Sequence, residues 1–405
     1  MRSKALRILV IRIDFFGDLL CTTPLLAALK QSHPDCFLAV LASKYNRGAV
    51  AGNPNVNEVF EYVYSKQTER NSRPGMLNAV IQRIRLILSL RRKKFDYVII
   101  PNGGMHKNSI QFARWLGANR VLFNNAETEF DDRRAEHRAN RKIEHEVLSG
   151  FRVSKELVGE ISPGPLYFMP PDKLVKKAKA RLPDLKSPSV ALHFSARVAE
   201  RSWPYSRWCE LAATLAKTHA VVILGSPDMW EYPSFRDAMA ASGLNPDKSL
   251  EQNCPFPLTG GRLGWGLARR ESSVSTPSLA LPLQWGGDIG SNGLSGLNGT
   301  YITVMPVHLC TTADFVELAA ALSICDSVIC CDGGPVHIAA ALKKPVVVLF
   351  ENRPEKYKRW YPWAVPHQIV LSKNGVAVET IEVSDVVAAY ENLCSMAPAP
   401  PVTAA

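Results

Sequence analysis

The chain lacks several features that would assign it to common classes of protein. No apolar run reaches the roughly 18 residues of a membrane-spanning helix, so no such span is expected. The nine cysteines form no C-x-x-C pair, which indicates reduced, mostly buried thiols and predicts a cytoplasmic protein. No Asp-x-Asp occurs, and no G-x-G-x-x-G follows an early strand, which disfavours a nicotinamide-dependent oxidoreductase.

What the chain has instead is an excess of positive charge. The formal net charge is +11 and the isoelectric point about 9.2, which suits nucleic acid, an anionic membrane face or phosphorylated small molecules. The sequence has no aromatic-and-basic RNA signature and no zinc-finger spacing, so no nucleic-acid partner is expected. Residues 81–95 form a basic, amphipathic helical pattern, typical of a surface helix with a solvated basic face. The same pattern also allows a peripheral contact with a membrane.

Apolar strand patterns alternate with helical patterns along most of the chain. The strand patterns of the first half are RILVIRI, FLAVLAS, EVFEYV, DYVIIPN and RVLF. The alternation restarts at SVALHFSA and continues through AVVILGS, the stretch around ITVMPVHL, SVICC and PVVVLF. Such alternation indicates parallel sheets with helices on both faces. We therefore predict an α/β protein of two Rossmann-like, doubly wound domains that face a cleft.

Composition shifts give the expected domain bounds. We predict an N-terminal domain over 1–165, a linker over 166–186 that begins in a Pro-rich stretch, and a C-terminal domain over 187–395. Residues 244–300 are rich in Gly, Ser and Leu and have no helical or strand period, so we predict a poorly ordered insertion without function. Residues 396–405 are predicted to be a disordered tail.

The stretch IRIDFFGDLLCTTPLL, at residues 11–26, places a Gly-Asp pair between a strand and a helix. Gly17 is predicted to form a turn, Thr23 to cap the helix and Pro24 to open it. Ligands bind at the carboxyl edge of open α/β sheets. Asp18 is therefore expected at a functional site.

Three stretches together resemble glycosyltransferase family 9, the ADP-heptose:lipopolysaccharide heptosyltransferases. RILVIRIDFFGDLLCTTPLLAALKQSHP resembles the N-terminal signature, and NPNVNEVF follows at the expected place. LHFSARVAERSWPYSRW resembles the loop in which a basic residue precedes Trp-Pro. SVICCDGGPVHIAAALKKPVVVLF resembles the donor-site signature, in which an Asp-Thr-Gly-Pro-x-His turn opens a helix.

The resemblance implies a two-domain GT-B fold, with the acceptor on the N-terminal domain and the nucleotide sugar on the C-terminal one. It implies an inverting transfer of a sugar, heptose from ADP-heptose, onto a lipopolysaccharide core or related glycan. Such enzymes work at the cytoplasmic face of the inner membrane, where peripheral contact is allowed. No cofactor is implied, and the missing Asp-x-Asp implies no metal.

The resemblance also assigns the reacting carboxylate. Inverting transfer needs a base for the acceptor hydroxyl's proton, and Asp18 matches the family's base position, with Asp14 as the competitor. Arg12 matches a basic position near the site, although pairing with Asp18 or Asp14 would explain it equally well. On the acceptor side we expect basic loops to contribute, although ordinary solvated charge is the alternative for each residue; the candidates are Lys66, Arg70, Arg73 and Lys107.

The donor residues are expected on the C-terminal domain. Arg201 matches the basic residue before Trp-Pro and would hold the phosphates, with a surface arginine as the alternative and Arg197 as the next candidate. Asp332 matches a position that contacts sugar hydroxyls. Either Asp228 or Glu231 would contact the ribose. The opening of the next helix would bring backbone N–H groups to the diphosphate; its residues are Gly333, Gly334 and His337, and a core or surface histidine is the alternative for the last.

The sequence departs from the family at two places. Gly333 replaces the usual Thr, and Glu351, Asn352 and Arg353 follow the strand where Gly-Pro-Thr is usual. These changes leave two alternatives open. One is the same fold with a different nucleotide sugar, and the other is a non-catalytic paralogue that binds a nucleotide sugar or lipid A.

Overall fold

The computed structural model describes residues 5–104, 106–124, 143–182, 185–194, 201–244, 305–373 and 377–396. Within these ranges the chain folds around two parallel β-sheets, each flanked by helices. The predicted insertion at 244–300 and the predicted tail at 396–405 lie outside the described residues, except for their first residues, Leu244 and Met396.

The first sheet has the strand order β3-β2-β1-β4-β5, and every neighbouring pair is parallel. Its strands are β1 (Arg7–Arg12), β2 (Phe37–Ala42), β3 (Glu58–Glu61), β4 (Tyr97–Ile99) and β5 (Arg120–Leu122). The helices of this half are α1 (Phe16–Leu20), α2 (Thr23–Ser32), α3 (Met76–Arg92), α4 (Lys107–Arg114), α5 (Glu146–Val153) and α6 (Lys155–Val158). Two 3₁₀ turns, Arg47–Val50 and Thr68–Arg70, lie in the loops that flank β3.

The second sheet has the order β11-β10-β9-β6-β7-β8 and is also parallel throughout. Its strands are β6 (Ser189–His193), β7 (Ala220–Gly225), β8 (Val307–Thr311), β9 (Ser327–Cys331), β10 (Val346–Phe350) and β11 (His367–Leu371). Its helices are α7 (Asp172–Arg181), α8 (Tyr205–Leu215), α9 (Pro233–Ala241), α10 (Phe315–Ser323), α11 (Gly334–Ala341), α12 (Pro354–Trp360) and α13 (Val383–Ser395). Further 3₁₀ turns follow β7 at Pro227–Glu231 and β11 at Val378–Thr380.

The central strands are apolar on both faces because helices cover both faces. In β1, Ile8 and Val10 enter one core while Leu9 and Ile11 enter another. The core that contains Ile8 and Val10 continues into the second half of the chain through residues such as Val336 of α11. One hydrophobic core therefore joins the two sheets, and each sheet has a further core on its other face.

The strand orders fix where ligands are expected. Successive strands are added toward one edge of each sheet and then toward the other. The change of edge falls between β1 and β4 in the first sheet and between β6 and β9 in the second. In open α/β sheets ligands bind outside the carboxyl ends of the strands at such a reversal point. Side chains that follow β1, β4, β6 and β9 are therefore the ones to examine.

Two local predictions at the first loop were wrong. Gly17 does not form a turn, because it lies with Asp18 inside the short helix α1. Thr23 is not the cap of α2: the helix begins at Thr23, Thr22 precedes it, and the Thr23 hydroxyl donates to the Leu20 carbonyl at 2.7 Å. Two helices, α1 and α2, therefore follow β1 in succession, and the Gly-Asp pair lies in the first of them.

The chain passes from one half to the other between α6 and α7. Helices α5 and α6 pack against α2, whereas α7 packs against α10. The bounds 1–165, 166–186 and 187–395 stay predictions. Among the described residues, no helix combines the length and apolarity that crossing a bilayer requires.

Candidate active site

A buried ion cluster lies where β1 ends. The Arg12 guanidinium is 2% exposed, and it donates from Nε to Asp14 Oδ1 at 2.9 Å and from Nη2 to Asp18 Oδ1 at 3.1 Å. Asp18 Oδ2 also accepts the backbone N–H of Phe15 at 3.1 Å. Burial alone would lower the pKa of Arg12, but the surrounding carboxylates raise it, so the guanidinium stays charged.

Asp18 has the protonation behaviour expected of a general base. Burial, and after it the nearby Asp14 carboxylate, raise the pKa of Asp18 to about 7, while Arg12 acts in the opposite direction. A base is most effective when its pKa lies near the working pH. The environment of Asp18 therefore suits proton transfer near neutrality.

The third carboxylate of the cluster, Glu146, is absent from the sequence-based predictions. It opens α5, is buried, and accepts from Arg12 Nη2 at 2.9 Å and from the Gly103 N–H at 3.0 Å. Its other oxygen accepts from Nε of Arg359 at 2.9 Å, and Arg359 lies on α12 of the second half. Burial raises the pKa of Glu146, but Arg12 and Arg359 outweigh it and lower the value to about 2. Glu146 is thus a permanent anion that joins the two halves.

Residues that follow β1 and β4 are hydrogen-bonded to each other at the reversal point of the first sheet. Asn102, after β4, donates from Nδ2 to Asp14 Oδ2 at 2.8 Å. His106 follows and accepts at Nδ1 from the Ser109 N–H at 3.3 Å, which caps α4. Burial lowers the pKa of His106. Asp14 is therefore held by two partners, Arg12 and Asn102.

The Gly-Asp pair of the first half meets the donor-type motif of the second. A Cβ added to Gly17 would lie 2.6 Å from His337 Cδ2 and 3.5 Å from Gly334 Cα. The His337 ring is buried, its Nδ1 is 3.3 Å from Cys21 Sγ, and it makes an edge-type contact with the Trp360 ring at 5.7 Å between centroids. Burial lowers the pKa of His337 to about 3, so the ring is neutral and offers no charge to a phosphate.

A second ion cluster lies at the reversal point of the second sheet. Arg201 Nη1 is 3.3 Å from Asp332 Oδ2, directly after β9, and its Nε is 3.7 Å from Glu351 Oε1, directly after β10. The Arg201 loop is anchored by Trp203, which is buried and donates to the Ile381 carbonyl at 3.0 Å. Burial raises the pKa of Asp332, with Arg201 opposing it. Lys356 is also close, and burial together with Arg201 lowers its pKa.

Gly333 has a backbone that explains the departure from Thr. Its φ is +152° and its ψ −163°, a conformation that other residues rarely adopt. It precedes α11, in which Gly334 and Pro335 are the first two residues. The first amides of a helix have no partner within the helix, so this end suits an anion.

The remaining predicted residues lie farther from these clusters or point elsewhere. Asp228 is half-buried in the turn after β7 and accepts from the Tyr232 hydroxyl at 2.8 Å, whereas Glu231 is exposed. Arg70 stacks over the Tyr64 ring at 4.6 Å, and the Tyr64 hydroxyl donates to the Ile13 carbonyl at 2.9 Å. Three basic candidates are exposed: Lys66, Arg73 and Lys107. Arg197 lies outside the described residues.

The structure thus gathers two groups of predicted residues and adds three that the sequence reading missed. It brings Arg12 to Asp14 and Asp18, and Arg201 to Asp332. Those missed are Glu146, Lys356 and Arg359. The only sequence signal for Glu146 was Arg12 itself, because a buried arginine at a strand end needs carboxylate partners.

Comparisons with known proteins show what the chain is similar to. A family model, "Glycosyltransferase family 9 (heptosyltransferase)", matches residues 295–386. Lipopolysaccharide heptosyltransferase 3 of Escherichia coli is 21% identical over 412 residues, covering 94% of this chain and 96% of the relative.

Solved structures show the same fold. A glycosyl transferase family 9 structure from Veillonella parvula has a TM-score of 0.66 at 16% identity, covering 97% of this chain and 98% of its own. Escherichia coli heptosyltransferase WaaC with ADP has a TM-score of 0.60 at 14% identity, covering 96% and 100%. The predicted GT-B fold is confirmed. The chain is thus similar to glycosyltransferase family 9 over the matched residues and, at low identity, to a lipopolysaccharide heptosyltransferase along most of its length, which supports the prediction of a glycosyltransferase.

Proposed function

We propose that the protein moves a sugar from a nucleotide sugar, ADP-heptose, onto a hydroxyl of a lipopolysaccharide core or related glycan, with inversion and without a metal. The names of its relatives support this substrate class, since one is a lipopolysaccharide heptosyltransferase and a structural neighbour is a heptosyltransferase with ADP. The observation that carries the proposal is the close approach of Gly17, the neighbour of Asp18, to the opening of α11. That contact supports a site in which a base and an anion-binding helix end act together.

Asp18 is the proposed general base. The acceptor oxygen forms a bond to the anomeric carbon while its proton moves to the Asp18 carboxylate. The bond from the anomeric carbon to the phosphate oxygen breaks on the opposite face, so the configuration inverts. Arg12, bonded to Asp18 at 3.1 Å, favours the ionised carboxylate that must exist before the proton arrives.

The leaving diphosphate needs positive charge as the bond breaks. Arg201 and Lys356 provide two cations at the carboxyl edge of the second sheet, and the first amides of α11 provide N–H donors. Asp332 is proposed to accept hydrogen bonds from sugar hydroxyls. Asp228 is half-buried whereas Glu231 is exposed, so Asp228 is the one that we propose for the ribose.

Glu351 favours one alternative, a different nucleotide sugar. It is buried at 5% exposure within 3.7 Å of Arg201, at a position where the family usually continues Gly-Pro-Thr. A carboxylate here accepts hydrogen bonds from donor hydroxyls and repels phosphate oxygens. The donor whose hydroxyls match Glu351 would therefore be selected.

The test is a panel of ADP- and UDP-sugars, measured by thermal shift and then by transfer to heptose-deficient lipopolysaccharide core. We expect ADP-heptose to raise the melting temperature most and to give product in excess EDTA. Transfer only from a UDP-sugar would establish the alternative donor. Donor binding without any transfer would identify a non-catalytic paralogue. Loss of transfer in EDTA with rescue by Mg²⁺ or Mn²⁺ would refute metal independence.

A further inference from the structure

Helix α3 is apolar on two opposite sides. Its inner side packs on the first sheet through Leu86, Ile87 and Leu90. Its outer side carries five apolar residues that are between 40% and 75% exposed: Leu77, Val80, Ile81, Ile84 and Leu88. Their spacing of three, four, seven and eleven residues from the first places all five in one stripe along the helix. A surface helix of a globular protein normally has polar residues there.

The helix is fixed to the protein, so the stripe has a definite orientation. Arg83 donates from Nη1 to the Val63 carbonyl at 2.6 Å and to the Tyr62 hydroxyl at 3.2 Å. At the other end Lys93 pairs with Glu58 at 2.5 Å. The outer stripe, defined by the five residues above, therefore faces away from the sheet.

The charged residues of α3 and of the chain just before and after it are all basic. Between Glu69 and Asp96 the sequence has eight Arg and Lys residues and no acidic residue. Arg85, Arg91 and Arg92 are exposed, and helical geometry places them beside the stripe or at its end. An apolar stripe flanked by cations is the pattern of a helix that lies in a membrane interface.

Charge also argues against a second copy of the chain as the occupant. In a two-fold dimer the same patch meets itself, so the arginines of one copy would approach those of the other. Like charges brought together at an interface oppose association. An anionic lipid surface instead complements them.

We propose that the outer stripe of α3 and its flanking arginines dock the protein on an anionic lipid surface. The apolar side chains enter the boundary between headgroups and acyl chains, and the arginines pair with lipid phosphates. The loop before α3 carries Arg70 over Tyr64, whose hydroxyl bonds to Ile13 beside the Asp14 cluster. Docking through α3 would therefore hold the acceptor side of the site near the lipid surface.

The experiment is flotation of the full chain with vesicles of phosphatidylcholine alone, or of equal parts phosphatidylcholine and phosphatidylglycerol. We expect binding to the anionic vesicles that weakens as salt is raised. Arg85→Gln/Arg92→Gln should reduce partitioning about 30-fold, since each basic residue near the surface contributes about fivefold. Leu77→Gln/Ile84→Gln/Leu88→Gln should reduce it about a hundredfold or more.

The matched control removes two charges from another basic helix. Lys173→Gln/Lys176→Gln changes exposed residues of α7 and should leave binding unchanged. Because all substituted side chains are exposed, melting temperatures should stay close to wild type. No binding of the wild type to anionic vesicles, or equal loss in the α7 control, would overturn the proposal. A wild-type dimer by light scattering that becomes monomeric in the Leu77 triple variant would assign the stripe to self-association and also overturn it.

Discussion

Asp18 and Asp14 are two carboxylates that share one guanidinium in different surroundings. Asp14 accepts from both Arg12 and Asn102, whereas Asp18 shares Arg12 with two other acids and accepts one backbone N–H. The pKa of Asp18 is raised to about 7 as a result of its burial and the neighbouring acid. Environment, rather than residue type, therefore distinguishes Asp18, the proposed base, from Asp14.

We predict that Asp18→Asn keeps donor affinity and lowers kcat about 10²- to 10⁴-fold, the usual contribution of a general base. In the wild type kcat/KM should rise as pH increases through about 7, because the carboxylate must lose its proton before it can act. The variant's residual rate should lack this rise. The control is Asp35→Asn, which changes an exposed carboxylate in the loop between α2 and β2. A fully active Asp18→Asn enzyme would transfer the role to Asp14.

A second prediction concerns Arg201, the cation that we propose for the leaving diphosphate. Arg201→Ala should lower kcat/KM about 10- to 150-fold, since a charge-assisted hydrogen bond contributes about 1.5–3 kcal/mol. Arg201→Lys should recover part of this, because it keeps the charge but loses the forked donor geometry. Steady-state kinetics with donor varied measures both, with Arg236→Ala on an exposed face of α9 as control. Equal kinetics in Arg201→Ala and wild type would make Arg201 a surface residue.

The residues that could be predicted from the sequence share one property: they follow a strand. Asp18 follows β1 and Asp332 follows β9, so the sheet itself predicts that they lie at a carboxyl edge. Glu146 and Arg359 could not be found this way. They come from helices of different halves, and only the packing of the halves brings them together.

At the scale of elements, the contact between α1 and α11 leaves no room for a side chain at position 17. Gly17→Ala would place a Cβ 2.6 Å from His337 Cδ2. Overpacking of this kind costs about 1–3 kcal/mol, so we predict a lower melting temperature together with reduced kcat. Gly164→Ala is the matched control, since its added Cβ meets nothing within 4 Å. An unchanged melting temperature and rate in Gly17→Ala would show that the two helices separate without effect.

The types of the elements could be predicted from the sequence because their apolar periodicity is strong. The structural reasons for Gly17 and Gly333 could not be predicted from it. The strand patterns match strands in both sheets, while Gly17 was assigned to a turn and lies in a helix. Its requirement comes from a partner more than 300 residues away. Gly333 likewise stands where the family usually has Thr, and only its φ of +152° shows why glycine suits the position.

At the scale of the whole molecule, the Glu146–Arg359 pair links the halves. We predict that Arg359→Gln moves the pH–rate midpoint upward, because Arg359 lowers the pKa of Asp18. Stability should also fall, but by less than the 3–5 kcal/mol of an orphaned buried charge, since Arg12 and the Gly103 N–H remain on Glu146. Lys358→Gln, an exposed neighbour, is the control for both measurements. A midpoint that stays in place or moves down would contradict the coupling.

The packing of the two halves also links any separation of them to proton binding. Burial is the largest cause that raises the pKa of Asp18 to about 7, and separation would admit water beside Gly17 and Asp18. The pKa of Asp18 would then fall toward the ordinary range of a carboxyl, because the lost burial outweighs the lost Arg359. Separation just below neutral pH therefore releases protons and closure takes them up. Acid favours the closed arrangement and alkali the open one. The heat of closure measured by calorimetry should accordingly vary with the ionisation enthalpy of the buffer.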